Sequence, residues 1–589
     1  MSQPQSYYKT QLKTQQVIVQ QLYKQLTVLS SLRVLVFLVV ALSVYFFFKH
    51  WQVVVTVIGF GSIVFIFLLT KYTNLKAKRE LHKKLVTINE EELKIASGRF
   101  NHRPQGIEFQ NPTHYYSLDI DLFGHGSFFQ FINRTSTSEG KTELAKALTA
   151  NTIIAIKKRQ EAIKELSAKA NWRQTYEATA SLINVETPNS IILEWISTHK
   201  TFLPKAIKQI PLLFGIGSTA IFLLVFFKIL DPSILGYWLL IGLAITGRYL
   251  KKINRLASNT DKVKDTFRQY ASLLYQIENE TFTSDLLKEK QQQTHSKNQK
   301  ASKIVAQFSK HLDALDNRNN LISALFGNGL FLTDLKNSYN VEQWLKTYQH
   351  KVNDWFEVVS FFDAYNSLGN YTFNHPQYVF PEITDSKNAI KAESLGHPLL
   401  NPKKRIDNDL QIENEQFFIV TGANMAGKST FLRTVSLHIV MANVGLPVCA
   451  KHSIYNPVKL ITSMRTSDSL TDDSSYFFSE LTRLKFIVDE IAKEPYFIVL
   501  DEILKGTNST DKAIGSRKFV EKLVASNATG IIATHDLSLC DIEKELNEVK
   551  NYYFDAEIIN DELHFDYTFK IGICKNMNAS FLLKKMEIV

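Results

Sequence analysis

Cysteine is scarce in this chain: only Cys449, Cys540 and Cys574 occur among its 589 residues. Three thiols cannot build a disulfide framework, and their spacing is not that of a metal-ligand set. We therefore expect a protein of a reducing compartment and exclude the small, disulfide-rich secreted class. The length, with 45% hydrophobic and 12% aromatic residues, predicts several domains with substantial cores.

Charge is absent from four apolar segments, at residues 34–48, 53–69, 210–227 and 234–246. A membrane-spanning helix needs about 20 largely apolar residues, with roughly 17 as the lower end. The second and third segments reach this length, the first does so if Arg33 snorkels, and the fourth is short. A signal peptide is the alternative for the first segment, and buried core helices are the alternative for the second pair.

We therefore predict two transmembrane hairpins, whose spans lie at about residues 32–48 and 53–70 and at about residues 210–228 and 233–247. Basic residues flank both hairpins: Lys24, Arg33, Lys71, Lys76, Lys78, Arg79, Lys83, Lys84, Lys200, Lys205, Lys208, Arg248, Lys251, Lys252 and Arg255. By the positive-inside rule both hairpins enter from the cytoplasm and return to it. This pattern predicts a multi-pass protein of the inner, or cytoplasmic, membrane whose C-terminal region is cytoplasmic and whose partners include lipid.

The net charge of +11 does not by itself indicate a nucleic-acid partner. A polyanion would suit it, but much of the positive charge flanks the apolar segments, where anionic headgroups are the simpler counterion. Between residues 252 and 349 the chain is polar, lacks proline and has little glycine. That composition predicts a helical, lever-like arm, with a solvated linker as the alternative.

The most informative segment follows a short apolar strand at residues 417–420. The turn after it and the start of the next helical pattern comprise Gly422, Ala423, Asn424, Met425, Ala426, Gly427, Lys428, Ser429 and Thr430. Both glycines stand where the backbone must curl so that consecutive N–H groups face a phosphate. Lys428 can reach the β and γ oxygens, and Ser429 can ligate Mg²⁺. The segment therefore predicts a phosphate-binding loop at a helix N-terminus.

Two later apolar runs end in polar side chains. Residues 496–500 lead into Asp501 and Glu502, and residues 529–533 lead towards His535. A nucleotide hydrolase needs one carboxylate for the Mg²⁺ shell and one to orient and deprotonate water. A histidine at the tip of a strand in the same sheet can sense the γ-phosphate. A solvated corner is the alternative for the carboxylates, but the order of these features favours an ATPase.

The loop GANMAGKST resembles the sequence GPNMGGKST of the MutS family of DNA mismatch-repair ATPases. Ala423 and Ala426 replace a proline and a glycine, while the Asn-Met pair, uncommon in other phosphate loops, is retained. Residues 396–399 (GHPL) are similar to the family's His-Pro element before the loop. Residues 503–511 (ILKGTNSTD) resemble the family's IGRGTSTYD.

Residues 468–481 resemble the family segment in which a serine, here Ser475, reaches across a dimer to the other subunit's nucleotide. The resemblance therefore implies a homodimer. The chain departs from the family pattern at Asp473, Leu504, Lys505, Asn508 and Lys512.

Residues 116–166 are similar to the family's core and lever region, with a Thr-rich turn at residues 133–137 and a helix that opens with Arg159 and Gln160. Apolar residues at Ile153, Ile156, Ile163 and Leu166 form an amphipathic stripe, which a generic helical bundle would also show. Altogether the resemblance covers about residues 116–200 and 261–589. Nothing before Tyr116 resembles the family's mismatch-reading domain, and the second apolar pair lies where the family carries a DNA-contacting clamp.

The expected fold is multidomain, with transmembrane α-helical hairpins, an all-α core and lever, and a C-terminal α/β P-loop ATPase of the MutS/ABC type. The expected divisions are an N-terminal segment with the first hairpin (1–75), the first part of the core and lever (76–200), the second hairpin (201–255), the second part of the core and lever (256–385) and the ATPase domain (386–589).

The resemblance implies a Mg²⁺-dependent ATPase that binds mismatched or branched DNA and couples its ATP state to lever movement in a dimer. Nucleotide would be held by the loop residues named above and by Ser475, and Mg²⁺ by Ser429 and Asp501. Lys428, Glu502 and His535 would be catalytic. Two alternatives stay open: an ABC-type membrane transporter ATPase, although no Leu-Ser-Gly-Gly-Gln signature precedes Asp501, and an ATP-dependent membrane scaffold without DNA.

Overall fold

The structure is a computed structural model, and it describes residues 3–183, 185, 187–296, 299–423, 425–465, 476–559 and 562–574. Over these ranges the chain is mostly helical, and mixed sheets are concentrated after residue 381. This arrangement agrees with the multidomain fold expected from the sequence.

The N-terminal region is a pair of long helices, α1 (Gln3–Phe46) and α2 (Trp51–Ala96). The pair is antiparallel, since the Arg33 guanidinium lies 3.9 Å from the centre of the Tyr72 ring and His82 Nδ1 lies 2.6 Å from Gln15 Oε1. Both helices are long and apolar enough to cross a membrane, and both continue well beyond their apolar segments. The expected division at residue 75 falls inside α2.

A bundle of shorter helices follows: α3 (Phe128–Ile132), α4 (Ser138–Thr149), α5 (Ile156–Ala168), α6 (Ala170–Ala180) and α7 (Asn189–Thr198). The stripe predicted for α5 is buried at Ile156, Ile163 and Leu166. Ile153 precedes the helix and is 36% exposed, so it does not belong to the stripe. Arg159 Nη2 donates to the backbone oxygen of Asn443, 2.6 Å away, and so ties this bundle to the C-terminal region.

The second apolar pair consists of α8 (Ile210–Phe226) and α9 (Ser233–Gly247). At 17 and 15 residues these helices are about 26 and 23 Å long, below the roughly 30 Å of a hydrocarbon core. The described residues contain two helices that can span a membrane, or three if α9 and the helix after it, bent by 67°, count as one span. The prediction of four spans is therefore not supported.

The rest of the helical region comprises α10 (Leu250–Asn279), α11 (Asp285–Gln292), β1 (His295–Ser296), β2 (Gln299–Lys300), α12 (Ala301–Asp316), α13 (Asn328–Phe331) and α14 (Thr333–Asn374). The polar segment predicted as an arm is thus helical. Its apolar faces pack together, with the Phe308 and Trp344 rings stacked 3.8 Å apart and Phe267 edge-on to Phe308. It is a packed helical arm and not a solvated linker.

A buried polar network joins the N-terminal pair to the end of α14. Glu92 is 3% exposed, and its carboxylate accepts hydrogen bonds from Arg134 Nε and from the side-chain amides of Asn370 and Asn374, each amide at 2.9 Å. The Tyr8 hydroxyl donates to Asn374 Oδ1 at 2.7 Å. Burial tends to raise the pKa of Glu92, but the charge and hydrogen bond of Arg134, together with the Asn374 hydrogen bond and the charge of Arg103, leave the pKa below its ordinary value. The carboxylate is therefore ionised and paired.

Replacing Glu92 by alanine should destabilise the protein by about 3–5 kcal/mol, because Arg134 would stay buried without its carboxylate. Glu91→Ala is the matched control, since Glu91 pairs with the exposed Lys94 and should change stability by about 0–1 kcal/mol. Denaturant unfolding in detergent, followed by helical circular dichroism at pH 7, measures both. The Glu92 contribution is present above the ordinary carboxyl pKa of about 4.3 and is lost as the pH falls through the lowered folded-state value. Equal losses in the two variants would contradict a buried pair.

The C-terminal region contains the strands β3 (Glu382–Ile383), β4 (Asn388–Leu395), β5 (Asn408–Glu413), β6 (Phe417–Gly422), β7 (His452–Tyr455), β8 (Lys459–Ser463), β9 (Tyr496–Asp501), β10 (Thr529–Ala533), β11 (Val549–Phe554), β12 (Ala556–Ile559), β13 (Glu562–Phe565) and β14 (Lys570–Ile571). Its helices are α15 (Lys428–Val444), α16 (Tyr476–Ile491) and α17 (Ser509–Ala525). The six-stranded sheet has the order β14-β11-β6-β10-β9-β8, and a four-stranded sheet has the order β3-β7-β4-β5. β6, β9 and β10 are the three strands predicted from apolar runs.

Candidate functional site

Three loops meet at one edge of the six-stranded sheet. β6, β9 and β10 are parallel, and Ala533 pairs with Val420 on one side and with Asp501 on the other. The carboxyl ends of the three strands therefore lie side by side. The predicted loop after β6, the two carboxylates at the end of β9 and the histidine after β10 are brought together by this register.

The loop between β6 and α15 has the backbone that its glycines predict. Gly422 has φ +150°, and a Cβ atom there would lie 2.6 Å from the backbone oxygen of Phe554. Gly427 has φ +102° and directly precedes α15, and Met425 is also left-handed at φ +68°. The curled backbone ends at a helix N-terminus, whose first N–H groups have no partner within the helix. Of the predicted loop residues, Asn424 lies outside those that the structure describes.

Lys428 is folded back over this loop. Its ammonium donates to the backbone oxygens of Gly422 at 2.7 Å and Ala423 at 3.0 Å, and it lies 3.4 Å from His535 Nε2. Burial lowers the pKa of Lys428, while the charges of Asp501 and Glu502 oppose that effect. The side chain is only 6% exposed, so a cation is held at the mouth of the loop where an anionic group would meet it.

Ser429 and Asp501 form the candidate metal position. The Ser429 hydroxyl donates to Asp501 Oδ2 across 2.7 Å. Mg²⁺ in nucleotide enzymes is held by one or two protein oxygens together with phosphate oxygens and water. This hydroxyl–carboxylate pair fits that requirement. Within the described ranges no cluster of three or more His, Cys, Asp or Glu side chains could form an all-protein metal cage.

Glu502 directly follows β9 at the same edge of the sheet. Its Oε1 lies 2.8 Å from His535 Nε2, and its Oε2 lies 3.8 Å from Lys505 Nζ. The hydrogen bond with His535 is the main cause that lowers the pKa of Glu502 to about 2, against the opposing effect of burial. The carboxylate is thus ionised at neutral pH. In this arrangement it can orient a water molecule, and a weaker contact with His535 would make it a better proton acceptor.

A cavity of about 710 Å³ contains these groups and extends to residues that sequence reasoning did not identify. Tyr567 lines it, and its ring carbon Cδ1 lies 3.1 Å from the position of a Cβ on Gly427. Asn408 fixes the position of residues 567–569. Its side-chain amide donates to the backbone oxygen of Tyr567 at 3.0 Å, and its side-chain oxygen accepts from the Phe569 N–H at 2.7 Å. His397, from the predicted His-Pro element, lines the same cavity. No local motif marks Tyr567 or Asn408.

The segment expected to reach a second subunit is described only in part. Ser475 lies outside the described residues. Glu480 lies in the next helix, α16, and accepts a hydrogen bond from the Lys505 N–H at 3.0 Å. Phe477, in the same helix, packs against Gly506. The start of α16 is therefore attached to the loop that carries Glu502. A larger cavity, of about 850 Å³, lies between the core bundle and α15, and none of the predicted site residues that the structure describes lines it.

Comparison with known proteins adds to this geometry. Residues 418–585 match the family model of MutS domain V. MutS protein homolog 4 of Homo sapiens is 34% identical over 221 residues, which is 36% of this chain and 23% of that protein. DNA mismatch repair protein MutS of Staphylococcus haemolyticus is 27% identical over 239 residues, 39% of this chain and 27% of that protein. DNA mismatch repair protein MutS of Methanococcoides burtonii is 32% identical over 212 residues, which is 34% of this chain and 24% of that protein. The matched region spans about a quarter of each of these relatives.

Proposed function

We propose that this chain, a member of the MutS family as its sequence predicted, is a membrane-anchored ATPase that works as a homodimer and acts on DNA. The single observation that carries the ATPase proposal is the meeting of Lys428, the Ser429–Asp501 pair and the Glu502–His535 pair at one sheet edge. Each of these groups has a separate task in ATP hydrolysis, and the register of three parallel strands brings them together.

The roles follow from position. The N–H groups of the loop and of the first turn of α15 bind the β- and γ-phosphates, and Lys428 exchanges its contacts with loop carbonyls for contacts with those phosphates. Mg²⁺, held by Ser429 and Asp501, would neutralise charge on the phosphate oxygens. Glu502 orients the attacking water. His535 touches both Lys428 and Glu502, so it can report the presence of the γ-phosphate to either.

Membrane anchoring is the second part of the proposal, and α1 and α2 support it. Their apolar segments are exposed along the helices, as at Phe37 and Phe60, which are 63% and 70% exposed. In each helix, only 6% of the most apolar 18-residue stretch is buried inside the protein. By the positive-inside rule, the flanking lysines and arginines support an inner-membrane protein whose ATPase region lies in the cytoplasm. The network around Glu92 would then transmit force between this anchor and α14.

DNA binding and dimerisation rest on family resemblance. The relatives are named for DNA mismatch repair, and nucleotide in this type of ATPase is expected between two subunits. Movement at the nucleotide would be carried to the helical arm through α14, which leads directly into the C-terminal sheets. A scaffold in which ATP only sets dimer geometry, and a transporter, are the competing functions.

One experiment separates the DNA-acting ATPase from the scaffold and the transporter. The full-length chain in phospholipid vesicles is assayed for ATP turnover alone and with mismatched or branched duplex DNA, with Lys428→Ala as the background control. We expect DNA to stimulate turnover several-fold at moderate salt. Slow turnover that DNA does not change would contradict the DNA proposal and favour a scaffold, and ATP-dependent uptake of a solute would favour a transporter.

A further inference from the structure

The polar arm is interrupted by an apolar run at residues 319–333, which lies outside both predicted hairpins. Residues 319–333 contain no charged side chain, and they form a π-helical turn (Ser323–Gly327) followed by α13. Leu321 is 83% exposed and Ile322 69% exposed. Such large side chains beside one another form an exposed apolar patch, which in a protein marks an interaction surface.

This run is docked on the second apolar pair. A Cβ at Gly242 of α9 would lie 2.2 Å from the backbone oxygen of Gly329, so glycine permits direct contact between the two backbones. Ser218 of α8 donates to the backbone oxygen of Leu330 at 2.5 Å, and Trp238 Nε1 donates to Ser218 at 2.8 Å. We call α8, α9 and residues 321–331 together the apolar tip. Small residues and interhelical hydrogen bonds of this kind are typical of helix packing in membranes.

We propose that residues 321–331 insert into the lipid bilayer together with α8 and α9, so that the helical arm ends in a three-part membrane-inserted tip. This inference rests on the membrane anchoring proposed above. It extends that proposal from the N-terminal pair to the far end of the arm, and it assigns a lipid-contacting role to a segment outside both predicted hairpins.

The irregular backbone of the run is compatible with insertion because its polar groups are paired inside the protein. The Asn328 side-chain oxygen accepts from the Asp334 N–H at 2.9 Å and from the Thr333 hydroxyl at 3.2 Å. The Ala324 N–H donates to the backbone oxygen of Asn320 at 2.8 Å. Internal hydrogen bonds of this kind lower the cost of placing the turn at membrane depth, where an unpaired backbone group costs several kcal/mol.

The charge distribution favours lipid over a protein partner as the occupant. Apolar side chains are exposed along both helices of the tip, for example Leu212 at 66% and Leu240 at 61%. At its base, Lys208 and Lys336 line a cavity of about 340 Å³. Lys228 and Asp231 lie at the opposite end, in the turn between α8 and α9. An apolar body above a basic base matches acyl chains above anionic headgroups.

Fluorescence quenching in vesicles tests the proposal on the full-length chain. The three native cysteines are buried, so a bimane maleimide added to folded protein labels an introduced thiol. Ile322→Cys is compared with Gln349→Cys, an exposed control on α14, and with Leu38→Cys in the apolar part of α1. Nitroxide on the lipid acyl chains quenches a bilayer-embedded label, and aqueous iodide quenches a water-exposed one.

We expect acyl-chain nitroxide to quench the Ile322 and Leu38 labels several-fold more than the Gln349 label, with the reverse order for iodide. Lipid quenching at Leu38 but iodide quenching at Ile322 would overturn the tip inference and leave the N-terminal anchor standing. Iodide quenching at both would overturn membrane anchoring itself. An Ile322 label that neither quencher reaches would show that protein covers the run, which also overturns insertion.

Discussion

We expect Lys428→Ala to abolish tight ATP binding, because the substitution removes the cation that the structure holds at the mouth of the loop. Among the described residues the ammonium forms hydrogen bonds with the loop oxygens of Gly422 and Ala423 and lies near His535 Nε2, so its loss should leave the fold intact. Binding of a fluorescent ATP analogue to the detergent-solubilised chain measures the effect. Lys522→Ala, at an exposed position of α17, is the control and should bind as the unaltered chain does.

Glu502→Gln should act on a different step. The amide keeps the size of the side chain but cannot accept a proton, so nucleotide should still bind while turnover falls by about 10²–10⁴-fold. ATP should then hold the chain as a dimer, which size-exclusion chromatography with light scattering detects. Glu521→Gln is the matched control, because that carboxylate pairs with Arg517 on the surface of α17. An equal loss of nucleotide binding in the Lys428 and Glu502 variants would refute this division of roles.

The meeting of the loop after β6 with Asp501 and His535 could be predicted because its signals are local. An apolar run, two glycines and a helix start adjoin one another in the chain, Asp501 ends a buried strand, and His535 follows another. Parallel strands bring their carboxyl ends to one edge, so the convergence follows once the sheet is assumed. The contacts among the side chains, such as that of Glu502 with His535, required the structure.

Other parts of the molecule depend on contacts between distant positions. Tyr567 joins the cavity through Asn408, 159 residues earlier, and Tyr8 meets Asn370 across 362 residues. Neither pairing leaves a periodic or compositional signal. Hydropathy likewise identified four apolar segments but did not fix helix lengths. α8 ends at Phe226 and the chain then turns through Asp231 and Pro232, so α8 and α9 are too short to count among the two long candidate spans of the described residues.

A second large effect is expected in the retention of the chain by membranes during washing. The full-length chain should remain with the membrane after washing with high salt and with alkaline carbonate, because burial of apolar helices is not screened by ions. Adsorption through lysine and arginine would be reversed by salt. Immunoblotting of pellet and supernatant after each wash measures the partition, with a peripheral membrane protein of the same cells as the internal control.

Excision of the apolar segments then separates the two attachments. Replacing residues 34–70 by a short Gly-Ser turn keeps Tyr8 and Glu92, and with them the buried network that holds the helix pair to α14. This variant should stay partly in the pellet, because the apolar tip remains. Replacing residues 210–247 as well removes the two helices on which residues 321–331 are docked. This double excision should release the chain from the membrane with nucleotide binding retained, since neither excision touches the site. Complete release by the first excision alone would mean that α8 and α9 are covered by protein, and the arm would then be free to close on DNA as a clamp.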